Sequence, residues 1–300
     1  MIQRYYSHGK LLLTGEYVVL DGAKSLALPT KKGQVLEVAP LEQSNIKWQS
    51  ILHDKSSWLD YNLDLPLTKN KKEQDAVLLR LQEILVEAKK MNPSILENGI
   101  SFKSTLEFNK DWGLGSSSTL INNIAQWAAI NPYKLLKNTF GGSGYDIACA
   151  SSNTPISYQL INDTPEVTEV VFNPIFKESI FFVYLNRKQN SRESIQHYRS
   201  VAPESLQTAI QEISQITTAL INCNSLSSFE ELLETHERII ANLIKSPTIK
   251  EQLFPDYTET IKSLGGWGGD FILATGSEKE KTYFKNKGYV TIIPFSEMIL

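Results

Sequence analysis

Only two cysteines, Cys149 and Cys223, occur in 300 residues. That fits a reducing, cytoplasmic setting better than a disulfide framework. No apolar stretch approaches the roughly 20 residues of a membrane span. The start, Met1-Ile2-Gln3-Arg4-Tyr5, lacks the apolar core of a secretory signal. Charge of one sign is also lacking: 30 basic residues face 33 acidic ones, for a net −3. No electrostatic footprint for nucleic acid is visible. The one basic run, Lys69-Asn70-Lys71-Lys72, reads as a solvated loop. His8, His53, His197 and His236 do not have metal-ligand spacing, so a protein-built zinc site is not expected. Neither Gly-Lys-Ser/Thr nor GxGxxG occurs, which excludes a P-loop and a Rossmann turn. What remains is a chain with 41% hydrophobic residues, enough for one large domain or two ordinary ones. The expected partner is a small-molecule substrate, with no nucleic acid and no membrane, and the expected state is a monomer or homodimer.

The most informative stretch is Gly113-Leu114-Gly115-Ser116-Ser117-Ser118. It follows an alternating strand-like run (Ile100, Phe102, Leu106, Phe108) and leads into a helical run, Thr119 to Ile130. Glycines around one apolar residue let the backbone turn sharply and approach a ligand. The serines then sit where helix N–H groups have no partner inside the helix, at the positive end of the macrodipole. Such a spot suits an anion, most often phosphate, although an ordinary N-cap has the same local look.

Three further segments bear on that choice. Near the N-terminus, His8-Gly9-Lys10 opens an apolar run through Thr14-Gly15-Glu16-Tyr17 to Asp21-Gly22, reading as a strand, a turn at Thr14-Gly15 and a second strand. Lys10 and Glu16 stand in apolar surroundings, where charges have partners or work to do. Gly141-Gly142-Ser143-Gly144-Tyr145-Asp146 closes a glycine-rich turn with an aspartate at a helix start. Asp146 is either an N-cap or a carboxylate aimed at a ligand. Finally, Gly265-Gly266-Trp267-Gly268-Gly269 precedes a strand-like run, and a bare turn rarely needs so many glycines.

With these residues in order, the chain resembles the GHMP kinase superfamily, whose members share an N-terminal Lys/Glu motif, a GLGSS phosphate loop and a C-terminal Gly-rich loop. The string Gly144 to Ala148 resembles a subgroup named for GYDIA, and Gly9-Lys10-Leu11 with Gly15-Glu16-Tyr17 is similar to the phosphomevalonate kinases, as is Gly142-Ser143-Gly144-Tyr145-Asp146. The resemblance implies an α+β, two-lobed fold, with a ribosomal-protein-S5-like N-terminal domain over 1–163 and a ferredoxin-like C-terminal domain over 164–300. It implies ATP and Mg²⁺ as cofactors. Gly113, Leu114, Gly115, Ser116, Ser117 and Ser118 would bind ATP, and Ser117 would ligate the metal. Asp146 and Lys10 would be catalytic. Glu16, Tyr17, Ser143, Gly144 and Arg192 would bind substrate, and Gly265, Gly266, Gly268 and Gly269 would close over the phosphates.

The chain departs from the pattern in places. Asn109 stands where the family usually has proline, and Ser118 where it has alanine. Leu135 occupies the place of a Mg²⁺-binding Glu in mevalonate kinases, Gln159 that of an arginine, and Trp267 that of a small residue. The departing Trp267 implies a loop that sits differently or stacks on a ligand. The implied activity is phosphorylation of phosphomevalonate or a related isoprenoid precursor. The alternatives are a mevalonate- or homoserine-type kinase on a neutral acceptor, and a catalytically weak nucleotide-binding relative.

Local patterns give the remaining elements. Residues 42–72 form an elaborated hairpin or loop, and Glu73 to Met91 an amphipathic helix with its stripe at Ala76, Leu79 (or Leu78), Leu81, Leu85 and Ala88. A break falls at Asn162-Asp163-Thr164-Pro165. Strands are expected at 167–172, 179–185, 270–275 and 289–293, and helices at 191–199, 204–223, 229–245, 257–264 and 278–287, in a split β-α-β arrangement.

Overall fold

The computed structural model describes residues 1–68, 75–189, 191–201 and 206–300, apart from the side chains of Ser191 and Arg192. The basic run at 69–72 therefore lies outside the described residues. Two compact units emerge, each assembled from separate stretches. The first gathers Met1–Gly9, Lys32–Lys110 and Gly115–Ser151; the second gathers Lys10–Lys31, Asp111–Leu114 and Ser152–Leu300.

Strands β1 (Gln3–Thr14) and β2 (Ser25–Pro40) pair and run through both units. The first unit continues with β3 (Asn45–Ile51), β4 (Ser57–Asp64), α1 (Ala76–Met91), β5 (Ile100–Leu106), α2 (Ser116–Ala128), α3 (Pro132–Thr139) and α4 (Tyr145–Ala150). Its strands lie in the order β4-β3-β5-β2, with β3 parallel to β5 and the other neighbours antiparallel. The expected hairpin over 42–72 is thus β3 and β4. Alternation puts Ile46 and Trp48 on the covered face, where they join Leu81 and Leu85 of α1 and Ile121 and Ile124 of α2. The Trp48 ring lies 5.1 Å from Phe102. Asp75 caps α1 by accepting from the Val77 and Leu78 amides. The expected start at Glu73 is outside the described residues. The buried face of α1 is Leu81, Gln82, Ile84, Leu85 and Ala88, while Ala76 is exposed. Periodicity gives a stripe its direction but not where its neighbours end.

In the second unit β6 (Ile156–Ile161) pairs with Ser25–Ala27 of β2 and, by a hairpin, with β7 (Thr164–Glu169). Asn162 and Asp163 take φ of 51° and 60°, the two-residue turn whose twist suits a hairpin. The chain then runs β8 (Ile180–Tyr184), α5 (Ser191–Ser200), α6 (Leu206–Ile221), α7 (Leu226–Ile244), α8 (Ile249–Leu253), β9 (Ile261–Ser263), β10 (Phe271–Thr275), α9 (Glu278–Asn286), β11 (Ile292–Pro294) and α10 (Phe295–Met298). The antiparallel order β11-β8-β10-β9, with helices after the first and third strands, is the split β-α-β pattern of a ferredoxin-like layer.

Two expectations need correction. After the Thr14-Gly15 turn the chain forms a short 3-10 helix, Val18–Asp21, instead of a second strand. Left-handed backbone at Gly15 (φ 94°) and Tyr17 (φ 65°) breaks any strand there. The helix expected over 257–264 is instead a loop and β9, whose residues are all buried and paired to β10. The helix stands earlier, at α8, where Thr248 and Glu251 form a reciprocal capping box. That Thr-x-x-Glu signal was readable in the sequence.

Candidate active site

The chain passes from the second unit to the first in the middle of the Gly-Ser motif, between Leu114 and Gly115. On the second-unit side, Trp112 packs edge-on against Phe271 at 5.5 Å, and Leu114 is buried. The Lys10 amide donates to the Leu114 carbonyl (3.0 Å), and its Nζ donates to the Gly113 carbonyl (3.1 Å). Lys10 is thereby fastened, main chain and side chain, to the first two residues of the motif.

On the first-unit side, Gly115 is the N-cap of α2 with φ 86° and no side-chain cap. The Ser116, Ser117 and Ser118 amides lie in the first turn, where no intrahelical acceptor exists. Ser118 Oγ turns back to the Gly115 carbonyl (2.8 Å), and Thr119 Oγ1 donates to Gln34 (2.5 Å). Gln34 also donates to Ser104 (2.7 Å), while Asn123 donates to the Gln34 carbonyl (2.9 Å) and accepts from Ser7 (2.8 Å). This buried hydroxyl–amide network fixes the start of α2 on the sheet. It leaves Ser117 exposed and Ser116 half-buried. An uncapped helix start with an exposed hydroxyl fits phosphate oxygens and a cation travelling with them. Thr119 and Gln34 were missed by sequence reasoning because nothing local distinguishes them from an ordinary helix and strand.

Gly144 (φ 87°) is likewise an N-cap without a side chain, for the short α4. Asp146 lies in its first turn, half-buried, with Oδ1 accepting from the Ile147 amide (3.1 Å). Burial, and then the Asp146 charge, push the Tyr133 hydroxyl above its usual range. Ser143 and Gly144 are buried beside it, whereas a Cβ at Gly141 or Gly142 would meet nothing within 4 Å. Leu135 is fully buried in the apolar core.

In the second unit, Gly266 and Gly269 of the 265–269 run make room for protein atoms. A Cβ on Gly266 would come within 2.8 Å of Ser194 Oγ, and one on Gly269 within 2.9 Å of the Arg187 carbonyl. Ser194 Oγ donates to the Gly266 carbonyl (2.9 Å). Trp267, expected either to seat the loop differently or to stack on a ligand, is 6% exposed and packs with Tyr17, Val18 and Tyr198 in an apolar cluster. Gly268 lies near the exposed Arg187, and Gly265 near Asp270. Lys188 pairs with Asp111 at 3.5 Å. Arg192 belongs to α5, and its side chain lies outside the described residues.

Glu16 is 1% exposed. It accepts from Lys262 Nζ at 2.6 Å, and the same ammonium lies 3.1 Å from Glu237. Glu16 Oε2 lies 3.3 Å from His236 Nε2, which accepts from the Gly15 amide at 2.9 Å. An acceptor Nε2 means a neutral ring with its proton on Nδ1, in keeping with a His236 pKa driven well down by burial and by Lys262. Burial outweighs the Lys262 attraction at Glu16 and pushes its carboxyl up to about 7. Tyr17 stacks on Tyr198 at 5.4 Å, and burial pushes its hydroxyl up to about 12. Tyr198 in turn donates to Asp21, which also pairs with Arg199 at 2.6 Å. Gln159 donates to the Gly22 carbonyl (2.9 Å), so it serves the turn that ends the 3-10 helix.

Among the described residues no cluster of three or more His, Cys, Asp and Glu is arranged to hold a metal. No helix among them is long and apolar enough to cross a membrane.

No protein-family model matches the chain, and no curated protein matches it by sequence. Solved structures do. The mevalonate kinase of Methanococcus jannaschii superposes with a TM-score of 0.71 at 17% identity, covering 97% of this chain and 96% of that one. The Streptococcus pneumoniae phosphomevalonate kinase in complex with phosphomevalonate and AMPPNP gives 0.69 at 15% identity, with 97% and 99% covered. Lactococcus lactis galactokinase gives 0.70 at 12% identity, with 100% and 93% covered. The chain has the α+β fold of the GHMP kinases, over its whole length.

Proposed function

We propose that the protein is an ATP-dependent small-molecule kinase acting on phosphomevalonate or a related isoprenoid precursor. The observation that carries this reading is the start of α2: a left-handed Gly115 without a side-chain cap, followed by three serine amides and an exposed Ser117 hydroxyl. The fold shared with mevalonate, phosphomevalonate and galactose kinases supports the reading, in which the triphosphate would sit at this helix start.

Transfer breaks the bond from the γ-phosphorus to the β,γ-bridging oxygen and forms one to an acceptor oxygen, releasing ADP. The charge-rich, loosely held transition state asks for positioning and positive potential. The amides of 116–118 would hold phosphate oxygens, and Lys10 would offset charge on the moving phosphoryl group. Bound Mg²⁺, with the Ser117 hydroxyl as a ligand, would neutralise further charge. Asp146 would accept the proton of a hydroxyl acceptor; a phosphate acceptor is already ionised at neutral pH, and there Asp146 would serve to orient. Glu16, sealed behind Lys262, would act by fixing Tyr17 and the turn around it. An anionic acceptor needs cations, a role in which Arg187 and Arg192 would serve.

A coupled ADP-release assay over mevalonate, phosphomevalonate, homoserine and simple sugars tests the proposal. Phosphomevalonate should turn over fastest. Faster turnover of mevalonate or homoserine moves the assignment to a neutral acceptor. Binding of Mg·ATP without turnover of any of them makes the protein a nucleotide-binding relative.

A further inference from the structure

Asp270 stands directly after the Gly-rich loop, and sequence reasoning gave it no role. It is 8% exposed and takes φ of 56°, a left-handed conformation in which a side chain is strained. Its backbone is held on both sides by the loop that follows β8: the Asp270 amide donates to the Arg187 carbonyl (2.6 Å), and the Leu185 amide donates to the Asp270 carbonyl (2.8 Å). Its carboxylate accepts from the Gln189 amide at 3.1 Å. The same carboxylate fills the space in front of Gly113, where a Cβ would fall 2.4 Å from Cγ and from Oδ2. Gly113 therefore has to be glycine for a reason internal to this unit, beyond its φ of 65°.

The Gly113 against which this carboxylate presses is also the residue whose carbonyl accepts from the Lys10 ammonium. Lys10 and Lys188 both attract Asp270, and Lys188 is shared with Asp111. Burial acts the other way on Asp270 and raises its carboxyl above the usual range. We infer that Asp270 is a positioning residue: it locks the Gly-rich loop against the turn at Gly113 and, through its charge, holds the Lys10 ammonium at that turn. The lock explains two features at once. A strained non-glycine closes a run of glycines, and the first glycine of the phosphate motif leaves room for that residue's side chain. The consequence for phosphoryl transfer rests on the kinase reading; the lock itself does not.

The steric half is tested by thermal unfolding of the wild type, Gly113→Ala, Asp270→Gly and the double variant. Gly113→Ala should lower the melting temperature about 2–4 °C more in the wild-type background than in the Asp270→Gly background. Equal drops in the two backgrounds overturn the lock. The electrostatic half is read by carbon NMR of labelled lysines, with Lys10 identified by the signal lost in Lys10→Arg. Asp270→Asn keeps the shape and removes the charge, so the Lys10 titration midpoint should fall by about one pH unit. An unmoved midpoint overturns the hold on Lys10, since a purely structural role would not shift it. If the wild type phosphorylates an acceptor, Asp270→Asn should lower kcat by about tenfold with little change in the KM for ATP. If it phosphorylates none, the kinase reading fails, while the unfolding and NMR results still decide the inference.

Discussion

Glu16→Gln separates two forces that oppose each other inside the second unit. The Glu16 carboxylate meets an ammonium at 2.6 Å, which favours the ionised form, yet it is 1% exposed, which disfavours it. Desolvation wins, and the carboxyl is pushed up from 4.5 to about 7. A carboxyl whose pKa is raised on folding keeps its proton longer in the folded chain. Its contribution is therefore fully present below the unfolded value of 4.5 and is lost as pH rises through about 7. A shift of that size corresponds to about 3 kcal/mol. Glutamine never ionises, so the stability of Glu16→Gln relative to wild type should rise by about 3 kcal/mol between about pH 4.5 and about pH 8. Taking the difference largely cancels His236, which is held neutral and on its own costs stability below its unfolded pKa. Urea unfolding followed by tryptophan fluorescence over that range gives the number. If the relative stability of the variant instead falls with rising pH, the Lys262 pairing outweighs burial and the reasoning fails.

The same cluster predicts that Lys262→Met, which leaves Glu16 and Glu237 buried without a cation, costs about 3–5 kcal/mol in urea unfolding. Gly115→Val places a side chain at the left-handed cap of α2, and calorimetry should show Mg·ATP affinity lost in a protein that still folds; unchanged affinity removes the helix start from the site. Asp146→Asn keeps the shape and an oxygen acceptor for the Ile147 amide, and it should lower turnover of a hydroxyl acceptor on the order of a hundredfold with little change in melting temperature. Arg192→Ala should raise the KM for phosphomevalonate and leave that for ATP nearly untouched, which steady-state kinetics will show.

Much of the fold was legible because it rests on local signals. The alternation in β5, the helical runs that became α6 and α7, and the Asn162-Asp163 turn all state their geometry within a few residues. Where sequence reasoning failed, the deciding partner was distant. Ile261-Lys262-Ser263 has no alternation to mark it as a strand; it is one because it pairs with β10 and because Lys262 finds Glu16, 246 residues away. For Glu16 the sequence left open a partner or a task, and the partner, Lys262, is equally distant. A buried acid and an exposed one have the same letter, and only the partner on β9 tells them apart.

The glycines carry the sharper lesson. A glycine marks a place where some other group must come close, but the sequence does not name that group. At Gly115 and Gly144 the glycine is an N-cap that lends its helix no side chain, which suits a ligand. At Gly113, Gly266 and Gly269 the approaching atoms belong to Asp270, to Ser194 and Gln189, and to Arg187 and Gln189. The Gly-rich loop and the first half of the phosphate motif are therefore packed against their own unit. Gly113, Gly266 and Gly269 serve that packing, and Asp270, which fills the gap at Gly113, presses on the same turn whose carbonyl holds the Lys10 ammonium.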